Sequence, residues 1–166
     1  MRRLALLGLL LLGEVVVEPP VVRLPPIEAK PPARLVALAG RLEGNLEIAT
    51  AVAREADRSG ISEDVIVGVI LTENPWLKPD TTNWYGATGL MQVVGRLHGG
   101  DYPECGTDLT NVDTNLCYGV RILERKLVAS GGDLTRALLF YNGCWGETYR
   151  EGCETYPTIV SERGEL

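Results

Sequence analysis

The chain has 166 residues, 45% hydrophobic and 23% charged, with a net charge of −6, the composition of one ordinary globular domain with appendages. The negative balance and the lack of a basic stripe exclude a protein that tracks nucleic-acid phosphates. They also give no field favouring an anionic polymer, so affinity for such a partner has to come from a local groove.

At the N-terminus, MRRLALLGLLLLGEVVVEPP places two arginines ahead of an apolar run from Leu4 to Gly13. That run is too short to span a bilayer and fits the h-region of an export signal. No A-x-A site follows, so residues 1–17 are read as a signal peptide or an uncleaved N-terminal anchor, with a core segment as the alternative. Residues 18–32, EPPVVRLPPIEAKPP, hold six of the ten prolines. Proline fixes φ and lacks a donor, which predicts an extended, semi-rigid linker. A single domain is expected over residues 33–166.

Helical spacing dominates that domain. Residues 42–58 align Leu42, Leu46, Ala49, Val52, Ala53 and Ala56, with Gly60 as a stop. Ser62 is a candidate cap for a second helix, with Glu63 and Asp64 near the positive end of its dipole and Val65, Ile66, Val69 and Ile70 as its buried stripe. Pro75 disfavours helical geometry at Asn74 and should end it there. Lys78 to Cys105 reads mostly as loop, with a short helix around Leu90 to Val94. Asp113 is a candidate cap for a longer helix through Leu116, Val120, Leu123 and Leu127. Asp133 caps a short one through Leu134, Ala137, Leu138 and Tyr141, closed by Gly143. No convincing alternating strand appears, so the domain is mainly α.

Four cysteines, Cys105, Cys117, Cys144 and Cys153, lie in the last 62 residues of the chain. CxxC spacing is absent and His98 stands beside no cysteine pair, which favours two disulfides over a metal site. The local pairs Cys105–Cys117 and Cys144–Cys153 each close a short loop, although four cysteines allow three connectivities. Disulfides place the chain in an oxidising compartment.

Glu73, in LTENPW, ends the second helix. There it faces the negative end of the dipole, and Trp76, Leu77, Val69 and Ile70 are available to desolvate it. Both effects raise a carboxyl pKa. A carboxyl held protonated near neutrality suits general-acid cleavage of a glycosidic bond; an exposed glutamate at a frayed helix end is the alternative. What decides between them is a series of motifs in order: the glutamate, GATGLMQ from Gly86, NLCYG from Asn115, and Tyr141–Asn142 at a helix end. From about Ile48 to Gly143 this order resembles the catalytic domain of the soluble lytic transglycosylases, within the lysozyme-like superfamily.

The resemblance implies a helical, lysozyme-like domain with a substrate groove. It implies Glu73 as catalytic acid, and Gly89, Leu90, Met91 and Gln92 as the segment lining the glycan groove. Tyr141 and Asn142 match the Tyr-Asn motif, where the tyrosine hydroxyl supports the catalytic carboxyl. Asn74 stands where the family has serine and is carried as a substrate contact; Phe140 replaces the family's alanine. The tail NGCWGETYREGCETYP resembles phage-associated members, which brings in a virion setting.

The implied substrate is peptidoglycan, cleaved between N-acetylmuramic acid and N-acetylglucosamine with formation of a 1,6-anhydro ring. No metal or organic cofactor is indicated, and the expected state is an exported monomer that contacts membrane only through an uncleaved leader. A hydrolytic lysozyme is the first rival, with Asp80, Asp101 or Glu104 as the second carboxylate. A catalytically silent wall-binding or virion module is the second. Trp76, Trp84 and Tyr85 are candidates for stacking on sugars or, equally, for a hydrophobic lid over the core, Trp145 for packing its loop, and His98 is read as a surface residue without a partner.

Overall fold

Asn45, Ser62, Asn111 and Asp133 set the helical frame. The side chain of each accepts a hydrogen bond from the backbone N–H three residues on, satisfying a donor that a helix start otherwise leaves orphaned. They open α2 (Leu46–Ser59), α3 (Glu63–Glu73), α5 (Val112–Ala129) and α6 (Leu134–Tyr141). Before them lies α1 (Ala33–Arg41), between α3 and α5 lies the short α4 (Gly95–His98), and α7 (Tyr156–Arg163) ends the chain. The computed structural model describes residues 30–144 and 151–166. The leader, nearly all of the proline-rich linker, and Trp145 lie outside the described residues.

The domain is mainly helical, as its periodicity indicates, but three boundaries differ from the sequence reading. The helix expected over 42–58 is broken at its start. Glu43 and Gly44 take positive φ of 54° and 81°, so Leu42 ends α1 and Asn45 begins α2. Asn111, not Asp113, caps α5; Asp113 falls in the first turn and pairs with Arg54 at 2.8 Å. The short helix expected around Leu90 to Val94 is instead a hairpin turn and its second strand. Here β1 (Ala87–Thr88) pairs antiparallel with β2 (Val93–Val94), Ala87 opposite Val94.

The core is formed by the inner faces of α2, α3 and α5, where Ile48, Val52, Ile66, Ile70, Leu116 and Leu123 are fully buried. Against this core α7 packs on α3 at very short range. A Cβ at Gly68 would lie 2.3 Å from the carbonyl oxygen of Val160, and one at Gly164 would lie 2.4 Å from that of Asp64. Glycine at both positions lets two backbones approach where any side chain would hold them apart. Arg163 adds a hydrogen bond to the Leu71 carbonyl.

The disulfides are the two local pairs, with Cα–Cα distances of 5.6 Å for Cys105–Cys117 and 5.8 Å for Cys144–Cys153. The first ties a 3-10 turn to α5, and the second joins the end of α6 to the approach of α7. Among the described residues, no helix is long and apolar enough to cross a membrane.

Candidate active site

The motif residues of the sequence converge on one structure, the hairpin turn Gly89–Gln92. Asn115, fully buried on α5, accepts from the Met91 N–H at 2.8 Å and donates to the carbonyls of Thr88 (2.8 Å) and Leu109 (2.9 Å). A Cβ on Gly89 would lie 2.1 Å from the Asn115 amide nitrogen, and the backbone there has a φ of 82°. Glycine is therefore required twice over, by conformation and by space. One turn further along α5, Gly119 leaves room for Met91, whose sulfur would lie 2.4 Å from an added Cβ.

Two further side chains hold the same turn. Asn74, only 3% exposed at the C-terminus of α3, donates to the carbonyls of Lys78 (2.7 Å) and Gly89 (3.2 Å). Its carbonyl oxygen accepts from the Lys78 N–H. Tyr141 donates its hydroxyl to the Met91 carbonyl at 2.8 Å. Leu90 and Met91 are fully buried. Gly89, Leu90 and Met91 thus stand behind the groove, whereas the resemblance places them on its wall, and Asn74, expected as a substrate contact, stands behind it with them. Burial of two apolar side chains and saturation of the Asn74 amide by backbone explain the difference.

In front of this turn lies a groove of about 530 Å³. Gln92, Tyr141 and Asn142 line it, as do Trp84 and Tyr85 from the loop before β1. The Gln92 amide is fixed at both ends, accepting from Asn83 at 3.1 Å and donating to the Gly89 carbonyl at 2.9 Å. Asn142 is exposed at the end of α6. Trp84 is 88% exposed, and Arg96 lies over the ring of Tyr85, 4.1 Å from its centroid. Trp76, though exposed, does not line the groove.

Glu73 lines the groove and is its only carboxylate among the described residues. Burial raises its pKa, and a hydrogen bond from Tyr156, 2.6 Å to Oε1, opposes that shift without overcoming it. Among the described residues no cation pairs with it. The contrast with Glu55 is instructive: this carboxylate is 3% exposed but sits between Arg54 (3.2 Å) and Arg58 (2.7 Å). One buried carboxylate is held by two guanidiniums for packing; the other is left uncompensated in a groove, the setting that favours its protonated form. Because Tyr156 occupies Oε1 as an acceptor, the proton of the neutral acid belongs on Oε2.

The hydroxyl that meets the carboxyl is therefore that of Tyr156, from the first turn of α7, and not that of Tyr141. Burial and the Glu73 charge raise both tyrosine pKa values well above the ordinary phenol value, so both remain neutral donors. Sequence reasoning missed Tyr156 because it lies beyond the motifs. The available signal was Tyr156 and Val160 at i, i+4 with Pro157 in the first helical turn, where a missing N–H costs nothing.

The rival carboxylates lie off the groove. Asp101 is bound by His98 (3.1 Å) and Arg125 (3.0 Å), which hold its pKa low. Glu104 pairs with Arg121 at 3.1 Å, and Asp80 is exposed. His98, read from sequence as lacking a partner, has Asp101 and Arg125, and it lines the groove. Among the described residues, no three His, Cys, Asp or Glu side chains group as metal ligands.

The family model described as "Transglycosylase SLT domain" matches residues 50–157. No curated protein matches the chain. The matched span runs from within α2 to the first turn of α7, and so contains Glu73, the hairpin, Tyr141 and Tyr156. With most of its length matched and its motifs built around one groove, the chain belongs to the SLT transglycosylase domain family, whose members act on peptidoglycan.

Proposed function

We propose that the chain is an exported lytic transglycosylase that cleaves the N-acetylmuramic acid–β-1,4-N-acetylglucosamine bond, with Glu73 acting first as acid and then as base. The observation that carries this reading is that, among the described residues, the groove has a single carboxylate, desolvated and without a cationic partner. Hydrolases of this kind generally use two carboxyl groups; a transglycosylase needs one.

The chemistry follows from that carboxyl. Glu73 Oε2–H gives its proton to the glycosidic oxygen as the C1–O bond breaks, and the N-acetylglucosamine leaves with a free hydroxyl. The acetamido oxygen of the muramyl residue stabilises the electron-poor C1. The ionised Glu73 then takes the proton of the muramyl C6 hydroxyl while that oxygen bonds to C1, closing the 1,6-anhydro ring and restoring the acid. No water is consumed. An acid with a raised pKa suits both halves of this cycle. Tyr156 stabilises the ionised state between them by its hydrogen bond, a donor preorganised at the developing charge.

Gln92 and Asn142 offer amides to sugar hydroxyl and acetamido groups, and Trp84 and Tyr85 offer faces for sugar rings. Gly89, Leu90, Met91, Asn74 and Asn115 act through the turn they build. The two disulfides fit an oxidising envelope or extracellular setting.

The test is mass spectrometry of muropeptides released from purified peptidoglycan by the chain and by Glu73→Gln. Fragments one water lighter than their reducing counterparts, absent with the variant, are expected. Reducing-end fragments would make the protein a hydrolase. Binding without release would make it a wall-binding module.

A further inference from the structure

Among the described residues, the groove carries a lysine that the chemistry above leaves unused. Lys126 lines it from α5, together with Ile122 one turn earlier and His98 from α4. The lysine is half-buried, and among the described residues its side chain has no hydrogen-bond or ion-pair partner. Neighbouring cations are all engaged: Arg125 with Asp101 at 3.0 Å, Arg121 with Glu104 at 3.1 Å, and Arg96 over the Tyr85 ring. Asp101 is already shared by Arg125 and His98. Burial lowers the Lys126 pKa, and the Arg125 charge lowers it further. Both effects mark an ammonium short of a counter-charge.

Lysines at a surface usually extend the amine into water and bury only the stem. Lys126 instead presents its charge to a groove from which a bound polymer displaces water, so the substrate has to supply the anion or the charge is left unpaired. The muramyl half of the polymer supplies carboxylates. Each muramyl residue carries a lactyl carboxyl, free in stripped strands and amide-linked in strands that bear peptide stems with carboxylates of their own. The N-acetylglucosamine half has none.

We propose that Lys126 recognises a carboxylate of the muramyl residues, from the lactyl group or from the peptide stem, and thereby sets the preference of the groove for muramyl-containing strands. This rests on the glycan-cleaving reading of the same groove. Lys126 is a specificity residue, outside the proton transfers of Glu73.

The experiment compares the chain with Lys126→Gln and Lys126→Arg on three strands: stem-bearing, enzymatically stripped of stems, and stripped with the lactyl carboxyls capped as amides. Cleavage rates and binding by groove tryptophan fluorescence are both measured. Loss of a hydrogen-bonded charge pair predicts about a tenfold fall in kcat/KM for Lys126→Gln on stem-bearing strands, with Lys126→Arg retaining most of the wild-type value. Capping should lower the wild type by a similar factor and erase its difference from Lys126→Gln. A loss that persists on stripped strands assigns the lactyl carboxyl, and one confined to stem-bearing strands assigns the stem. Equal behaviour of Lys126→Gln and wild type on every strand, or an equal loss on capped and uncapped strands, overturns the proposal. If the wild type cleaves no strand, the enzymatic reading falls, and the binding comparison still decides the role of Lys126.

Discussion

Replacing Tyr156 by phenylalanine removes one oxygen and keeps the ring that α7 packs beside Glu73. The residue is 6% exposed, and its hydroxyl is the donor 2.6 Å from Glu73 Oε1. A hydrogen bond to a charged group contributes about 1.5–3 kcal/mol. One pH unit corresponds to about 1.4 kcal/mol of difference between protonation states. Since the hydroxyl favours the ionised carboxylate, deleting it leaves burial unopposed and raises the Glu73 pKa further. The basic limb of the pH–rate profile, where the catalytic acid loses its proton, should therefore move up by about one to two pH units. Proton donation by the weaker acid is slower, so the plateau rate should fall about threefold to tenfold.

The assay is the initial rate of anhydro-muropeptide release across the acid-to-neutral range, with a thermal melt at each pH to verify folding. Tyr141→Phe is the control. Its hydroxyl serves the Met91 carbonyl, so that variant should lose about 1–3 kcal/mol of stability from an unsatisfied buried carbonyl while the limb stays in place. A Tyr156→Phe profile that overlays the wild type, or a limb moved only by Tyr141→Phe, would refute the assignment of the two tyrosines.

Glu73→Gln should lower activity about 10²- to 10⁴-fold, the usual contribution of a general acid. Burial sets the folded pKa of Glu73 above its unfolded value. Wild-type stability is thus complete below the ordinary carboxylate range and declines as pH rises through the raised value. The variant has no such decline, so its Tm relative to wild type should climb from acid to neutral pH; a constant difference would contradict the burial argument. Asn115→Ala strands one buried and two partly buried backbone groups and should cost about 2–3 kcal/mol in urea unfolding. Gly68→Ala forces a methyl against the Val160 carbonyl and should cost about 1–3 kcal/mol. It should also shift the pH–rate limb in the direction of Tyr156→Phe, because α7 carries that tyrosine.

The helical frame was legible because its signals are local. Ser62 and Asp133 cap where a short polar side chain meets an apolar stripe, and Pro75 and Gly60 stop helices for reasons confined to one residue. Errors arose where two local signals compete. Asn111 and Asp113 are both competent caps, and only the packing of Val112 into the core selects the first. Leu90 and Met91 look like the buried face of a short helix. They are buried, but as the tip of a hairpin gripped by Asn115, a partner 24 residues away from Met91.

The same distinction separates what the motifs disclosed from what they hid. Gly89, Met91, Asn115, Gly119 and Tyr141 form a mutually dependent cluster: glycine where the Asn115 amide passes, glycine where the Met91 sulfur rests, and a phenol on the Met91 carbonyl. Changing any one of them strands or crowds the others, so the pattern stays recognisable as a pattern, and it was read as a groove because these residues hold the turn that stands behind one. Tyr156 enters no such cluster in sequence. It reaches Glu73 only because Gly68 and Gly164 allow α7 to lie against α3, a consequence of backbone approach between segments 96 residues apart for Gly68 and Gly164. Lys126 is hidden for the opposite reason: what distinguishes it from any helical lysine is that its side chain has no partner among the described residues, and an absent contact leaves no mark on a sequence. The residues that build the turn behind the groove are thus the readable ones, while Tyr156 beside Glu73 and Lys126 on the groove wall emerge only once helices from distant parts of the chain are in place.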